Sequence, residues 1–241
     1  MIDKYTAADK RAQIEAEHCN LLNQLATKKE PLHADLVGHI CSCTGMGDMV
    51  HHPLVVVPIF QPERFAYVYH LYTKKKKVAE KLRQKGDWSS YMLVHEKPYL
   101  LDVFAAIEKQ LSDEEYWIIL GEVYTRSENA WQHWRKLKRL LTADRKQREL
   151  LMNGKDRNYL AKLPSTLTIH RGIQHGNAAG WSWTLDPKKA RWFARRFGDG
   201  KPTVATGTVK KRDVIAYFSF LREREIVVDP AVVNVLERIR L

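Results

Sequence analysis

The sequence has few cysteines, a shortage of acidic residues and no long apolar run. Three cysteines, an odd number in a chain of 241 residues, do not make a disulfide framework and favour a reducing compartment. The longest apolar run, residues 54–60, is broken by Pro58 and falls far short of the ~20 apolar residues that a membrane span needs. The first 18 residues contain no apolar signal core. We therefore expect a cytoplasmic protein with no membrane partner.

The rest of the composition is typical of a folded protein. Hydrophobic residues make up 44% of the chain and aromatic residues 10%, and seven residues are Trp. This is enough apolar surface for one large domain or two small ones. The composition therefore excludes intrinsic disorder over most of the length.

The surplus of basic residues lies in the C-terminal third. The whole chain has 40 Lys and Arg against 28 Asp and Glu, and residues 151–241 alone have 17 against 8, a net charge of +9. Clustered Lys and Arg attract anions, which fits nucleic acid or an anionic small molecule as a partner, and equally a merely soluble surface. Trp181, Trp183 and Trp192 lie in this stretch and are candidates for stacking on bases.

Hydrophobic spacing predicts the elements of residues 1–96, an N-terminal extension of unknown role. Residues 3–29 have helical spacing, residues 38–53 predict a glycine-rich loop, and residues 54–60 predict a strand. Alternation over residues 65–71 predicts a second strand. The four lysines at 74–77 then lead into a short basic helix that Gly86 ends.

The pattern of residues 97–153 is helical. Ser112 followed by Glu115 is a capping box that predicts the start of one helix, and Ser127 predicts the start of another. Asn153 and Gly154 predict the end of this helical block. The apolar residues expected on the buried sides are Leu100, Leu101, Phe104, Ile107, Leu111, Trp131, Trp134, Leu137, Leu140 and Leu141.

Residues 164–241 predict a β-rich core. Strands are expected over residues 166–170, 204–209, 214–220 and 226–228, a turn over 176–180 and a helix over 187–197. The sequence therefore predicts an α+β protein in which a helical half precedes a β-rich half, with residues 97–241 forming one domain.

One group of potential metal ligands lies in the predicted loop. Cys41 and Cys43 are one residue apart. The histidines nearby are His33, His39, His51 and His52. Zinc sites use regular spacings such as two Cys-x-x-Cys pairs, and no second pair follows here. Metal binding is therefore the weaker alternative, and the chemistry that the C-terminal motifs indicate requires no metal.

Three short motifs occur in order in the β-rich half. A strand ends at Arg171 and a glycine, a second strand carries Ser182 and Thr184, and Glu223 and Glu225 precede a third. Arginine is a two-pronged donor to phosphate, and glycine lets a ligand approach the backbone. Two glutamates at i and i+2 share one face of an extended strand. A fixed carboxylate there suits a reaction at an anomeric carbon, because it stabilises the positive charge that develops on the sugar ring.

This ordered set resembles the R-S-E class of mono-ADP-ribosyltransferases, including phage-encoded proteins of that type. The likeness lies in the Leu-Pro…Ile-His-Arg-Gly and Gly-Trp-Ser-Trp-Thr phrases and in the Glu-x-Glu pair, and it covers residues 164–228. It implies a split β-sheet core, with the helices from residue 97 onward flanking an NAD cleft. It also implies a phage or bacterial effector that modifies a host macromolecule in the bacterial cytoplasm. The resemblance does not extend to residues 1–96.

The resemblance also implies roles for individual residues. Glu225 would bond the nicotinamide-side ribose and stabilise the oxocarbenium-like state, Ser182 would orient Glu225, and Glu223 would contact the acceptor. A glutamate at this first position implies arginine of a host protein as the acceptor. The residues expected to contact NAD are Arg171, through a phosphate, and Gly172, Ser182, Trp183, Thr184 and Phe193.

The sequence departs from the family in two ways. The middle motif is Ser-Trp-Thr where the family has Ser-Thr-Ser, and residues 165–241 are short for the family's β core. Three alternatives stay open: a nucleic-acid-binding or inhibitory module that kept the fold without the chemistry, ADP-ribosylation of DNA or RNA, and simple hydrolysis of NAD.

Overall fold

The chain folds into two compact units, Met1–Val103 and Phe104–Leu241. The computed structural model describes residues 30–43, 47–59, 64–127, 133–174, 180–196 and 201–241, with scattered positions between residues 11 and 25. Helices and antiparallel sheets are both present, so the predicted α+β class is confirmed. The helix predicted over residues 3–29 and the turn predicted over 176–180 fall largely outside the described residues. Within the described ranges, no helix combines the length and the apolar character needed to cross a bilayer.

The first unit packs a long helix against a three-stranded antiparallel sheet. A short helix, α1 (Ala34–Val37), precedes strands β1 (Ile40–Cys43), β2 (Gly47–His52) and β3 (Val55–Pro58), which pair in sequence order. Two helices, α2 (Arg64–Lys85) and α3 (Trp88–Val94), follow, and α4 (Leu100–Ile107) spans the boundary between the units. The core cluster consists of Leu36, Val50, Leu54, Val55, Ile59, Val68, Tyr72 and Ala79.

Two predictions for this unit are wrong. Residues 38–53 are not a loop, because β1 and β2 pair across four residues. Residues 65–71 are not a strand, because they lie in α2, which begins before the four lysines and is longer than the short helix predicted after them. The buried residues Val68, Tyr72 and Ala79 lie on one side of that helix, and no Gly or Pro interrupts the chain before Gly86, where a φ of +69° ends it. The strand predicted over residues 54–60 is confirmed as β3.

His52 is a half-buried base at the sheet–helix contact of the first unit. Its ring lies edge-on to Tyr72 at a centroid distance of 5.0 Å, and its Nδ1 accepts a hydrogen bond of 3.1 Å from the Leu54 backbone. Burial lowers the pKa of His52 to about 4, and repulsion from His39 acts in the same direction. The folded unit therefore holds this imidazole neutral at a pH where the unfolded chain protonates it.

The stability of the first unit is expected to fall as the pH is lowered from about 6.5 towards 4. In this window the unfolded chain binds a proton that the folded His52 does not, so unfolding becomes more favourable with acid. Denaturant unfolding at pH 7 and pH 5 measures the effect. His52→Gln should reduce the difference between the two curves, whereas His51→Gln should retain it. An unchanged difference in His52→Gln would contradict this assignment.

The second unit is built on a six-stranded antiparallel sheet in the order β7-β8-β5-β4-β6-β9. Its described helices after α4 are α5 (Asp113–Arg126), α6 (Trp134–Leu141), α7 (Gly154–Lys162) and α8 (Pro187–Arg195). Its strands are β4 (Thr166–Ile173), β5 (Ser182–Thr184), β6 (Thr203–Lys210), β7 (Val214–Phe218), β8 (Glu225–Val228) and β9 (Asn234–Arg240). The predicted strands and the predicted helix over 187–197 are confirmed in existence and type.

The helical elements of this unit follow the sequence with two differences, and the helix start predicted at Ser127 coincides with the C-cap of α5, next to residues 128–132, which lie outside the described ranges. The capping box of Ser112 and Glu115 is present at the start of α5. Asn153 does not end a helical block; it begins α7, because its side chain accepts a hydrogen bond from the Asp156 backbone at the N-cap. Trp134 is 49% exposed and not part of the core. Trp131 lies outside the described residues.

Candidate active site

Three neighbouring strands bring the sequence motifs together. Strand β5 lies between β4 and β8, so Arg171 on β4, Ser182 on β5 and Glu225 on β8 lie on three neighbouring strands. Thr184 links the three strands, because it pairs with a residue of β4 on one side and with Glu225 on the other. The order Arg, Ser, Glu in the sequence therefore becomes a cluster in space.

Arg171 is a buried cation within this cluster. The residue is 9% exposed, and its guanidinium donates a hydrogen bond to the Ser182 carbonyl. Burial lowers the pKa of Arg171, and the nearby Tyr124 and Glu225 oppose that shift. A Cβ at Gly180 would overlap the guanidinium, so any other residue there would displace the Arg171 side chain from this position.

Glu225 begins β8 and is the acid of the cluster. The Tyr124 hydroxyl donates a hydrogen bond of 2.7 Å to its Oε1. Burial raises the pKa of Glu225, hydrogen bonds from Ser182 and Tyr124 lower it, and the charges of Glu223 and Arg171 act in opposite directions on it. Ser182 itself is exposed, so the cluster borders solvent. The carboxylate is thus held by two hydroxyl donors, and burial nevertheless leaves its pKa above the ordinary value.

Tyr124 is the site residue that the sequence analysis missed. It lies on α5, is 8% exposed and stacks on Phe218 with a centroid distance of 5.2 Å and an interplanar angle of 20°. Burial and the adjacent Glu225 raise the pKa of Tyr124, which keeps its hydroxyl proton available for donation. The apolar spacing of α5 marks Tyr124 as inward-facing, but nothing local in the sequence indicates a partner 101 residues away.

The geometry around Glu223 differs from the predicted extended strand. Glu223 follows the short 3-10 turn Phe220–Arg222, and both Arg222 and Arg224 have positive φ values, of 56° and 48°. Glu223 and Glu225 therefore do not share one face of a strand. Positive φ at a non-glycine residue is unfavourable, and such conformations cluster at functional sites.

The loop that carries Glu223 is tied to β5 by its backbone. The Thr184 hydroxyl donates 2.6 Å to the Glu223 carbonyl, and the Leu185 amide donates 3.1 Å to the Arg224 carbonyl. Burial raises the pKa of Glu223, and the charges of Lys189 and Arg196 oppose the shift. Thr184 thus fixes the backbone position of the first glutamate.

The structure places the remaining predicted NAD contacts in the packing around the site. Trp183 is 4% exposed, and its indole donates 3.2 Å to the Gly180 carbonyl. Helix α8 covers Gly172: a Cβ there would lie 2.5 Å from the Ala194 nitrogen and 2.8 Å from the Phe193 Cβ. Phe193 is half-buried. The structure therefore shows Gly172 packed closely against α8.

No metal centre accompanies the cluster in the described part of the chain. Among those residues, no group of three or more His, Cys, Asp or Glu side chains is arranged to hold a metal ion.

Comparisons with protein-family models, with curated proteins and with solved structures found no match to this chain.

Proposed function

We propose that the protein is an NAD-dependent mono-ADP-ribosyltransferase that modifies a host macromolecule, with protein arginine as the expected acceptor. The observation that carries the proposal is the held carboxylate of Glu225, which accepts hydrogen bonds from Tyr124 and Ser182 beside the buried charge of Arg171. A fixed anion next to solvent suits a reaction in which positive charge develops on a bound sugar.

The proposed reaction separates nicotinamide from the ribose of NAD. The C–N bond to the anomeric carbon breaks, and its electron pair leaves with the nicotinamide nitrogen. The ribose then carries positive charge, which the Glu225 carboxylate stabilises more strongly than it stabilises bound NAD. The acceptor nitrogen forms the new bond to the same carbon and gives up a proton, and we assign Glu223 as the base that takes this proton.

Two features support different roles for the two glutamates. Glu225 is fixed by side-chain donors, whereas Glu223 lies on a turn between two residues of positive φ, beside Lys189 and Arg196. Burial raises the pKa of both glutamates, so the hydroxyl donors to Glu225, and not the two pKa values, distinguish their roles. We therefore assign charge stabilisation to Glu225 and the acceptor side to Glu223. The contact of Arg171 with an NAD phosphate stays a prediction from the resemblance.

Transfer can be tested with NAD labelled in its adenine ring. The purified protein is incubated with this NAD and a bacterial lysate, and the macromolecular fraction is then treated with protease or with nuclease. Label that protease releases and nuclease does not supports the proposal with a protein acceptor. Label that nuclease releases identifies nucleic acid as the acceptor. Consumption of NAD with no macromolecular label would identify a hydrolase, and no consumption would contradict the proposal.

Tyr124→Phe is expected to move the acid limb of the pH–rate profile to higher pH. The Tyr124 hydrogen bond lowers the pKa of Glu225, so its loss leaves that pKa higher, and a higher pH is needed to ionise the carboxylate. The pH dependence of kcat/KM for nicotinamide release measures this. Tyr116→Phe is the matched control, because it removes a buried hydroxyl that bonds the Leu140 carbonyl. Superimposable profiles for Tyr124→Phe and wild type would exclude this positioning role.

A further inference from the structure

Helix α8 presents a strongly basic outer face. The residues at i, i+3, i+4, i+7 and i+8 from position 188 lie on one side of a helix. We call this surface the basic face of α8; it consists of Lys188, Arg191, Trp192, Arg195 and Arg196, all of them exposed. The opposite side of the helix carries the buried residues Ala190 and Ala194. The basic face therefore points away from the sheet.

An aromatic ring lies in the middle of these cations. Trp192 is 52% exposed, although a large apolar side chain gains from burial. The Arg196 guanidinium lies 5.3 Å and the Lys189 ammonium 5.5 Å from the centre of the indole. Phe193 contacts it edge-on at a centroid distance of 5.0 Å. Cation–π and aromatic contacts hold the ring at the surface.

The other two tryptophans of the predicted stacking set are unavailable for this purpose. Trp181 is 6% exposed and Trp183 is 4% exposed, so neither can receive a base. Of the three tryptophans predicted to stack on bases, Trp192 alone is exposed enough to do so. Trp192 therefore gives the basic C-terminal third one exposed stacking surface.

We propose that the basic face of α8 binds single-stranded nucleic acid, with Trp192 as the platform for a base and the surrounding arginines and lysines as phosphate contacts. Such binding combines a basic track for the backbone with an exposed aromatic ring for a base, and both are present here. The face is about 12 Å long at 1.5 Å per residue, which suits a short stretch of strand. Five positive side chains, including Lys189, exceed what the two phosphates of a dinucleotide would neutralise.

The basic face lies next to the candidate active site. Lys189 and Arg196 are close enough to Glu223 for their charges to oppose the rise in its pKa that burial causes. A strand bound on α8 would therefore lie beside the acceptor side of the proposed reaction. The binding itself does not depend on that reaction, so it is tested without NAD.

The test measures binding of a fluorescent poly(U) oligonucleotide of about 20 nucleotides by anisotropy over a range of salt concentrations. Trp192→Ala is expected to weaken binding about tenfold at every salt concentration, because stacking is lost and no charge is removed. Trp192→Phe should recover most of this loss. The double variant Arg191→Ala/Arg195→Ala should reduce the slope of log K against log salt by about 1.4, at ~0.7 per phosphate contact on a single strand.

A second helix supplies the matched control. Lys77 and Lys81 are exposed on α2 in the first unit, and Lys77→Ala/Lys81→Ala removes the same charge as the α8 double variant. This control should leave both affinity and slope unchanged. Equal losses in the two double variants would show attraction to net charge alone and overturn the proposal. Unchanged binding by Trp192→Ala, equal binding of polyglutamate, or displacement of the oligonucleotide by NAD would overturn it as well.

Discussion

Glu225→Gln is expected to lower the rate of nicotinamide release from NAD by about 100-fold or more. Glutamine keeps the size of the side chain and can still meet the Tyr124 hydroxyl, but it carries no negative charge. The variant therefore loses the interaction that strengthens as positive charge develops on the ribose. Release is measured by chromatography of nicotinamide over time with purified protein. Equal decreases in kcat and kcat/KM would show that the lost interaction forms only in the transition state.

Glu223→Gln is the matched comparison, because it makes the same chemical change two residues away. This variant should keep a substantial part of nicotinamide release and lose transfer of ADP-ribose to the acceptor. Similar losses of nicotinamide release and of transfer in both variants would mean that the two glutamates act jointly in the same step. Full activity of Glu225→Gln in both assays would remove Glu225 from the chemistry.

Gly172→Ala is expected to destabilise the second unit by about 2 kcal/mol or more. The added Cβ would lie 2.5 Å from the Ala194 nitrogen and closer still to the Ala190 carbonyl oxygen. Both are backbone atoms of α8, so the whole helix has to move to make room. Such overpacking costs more than the gain in chain stiffness that replacing glycine normally brings.

Denaturant unfolding measures this loss, with Gly154→Ala as the control in the same unit. Gly154 is the first residue of α7, and the nearest atom to an added Cβ there belongs to the Arg157 guanidinium, at 4.0 Å. Alanine is a better helix former than glycine, so Gly154→Ala should leave stability unchanged or slightly raised. If the two variants unfold alike, α8 is not packed on β4 as described.

The sequence predicts best the elements whose burial pattern is regular. Strands β4, β6 and β8 have apolar residues that meet the core, and Ser112 and Glu115 mark the start of α5 by their own chemistry. Strand β9 was not predicted, because all seven of its residues are exposed at the edge of the sheet and no alternation marks them. Residues 65–71 alternate like a strand but lie in α2, where the facing sheet decides which side is buried.

The candidate site likewise contains residues that the sequence predicts and residues that it does not. Arg171, Ser182 and Glu225 are marked by motif and order, and neighbouring strands bring them together. Tyr124 could not be predicted, since its partner depends on how α5 packs against the sheet. The position of Glu223 could not be predicted either, because the positive φ values of Arg222 and Arg224 contradict the usual preference of arginine.

The most direct test is whether purified wild-type protein releases nicotinamide from NAD in the presence of a bacterial lysate. The arrangement of Glu225 between two hydroxyl donors predicts release that depends on protein concentration, with ADP-ribose appearing on an acceptor in the same reaction. Intact NAD after incubation with folded protein and lysate would contradict the assignment of this cluster as an ADP-ribosyl transfer site.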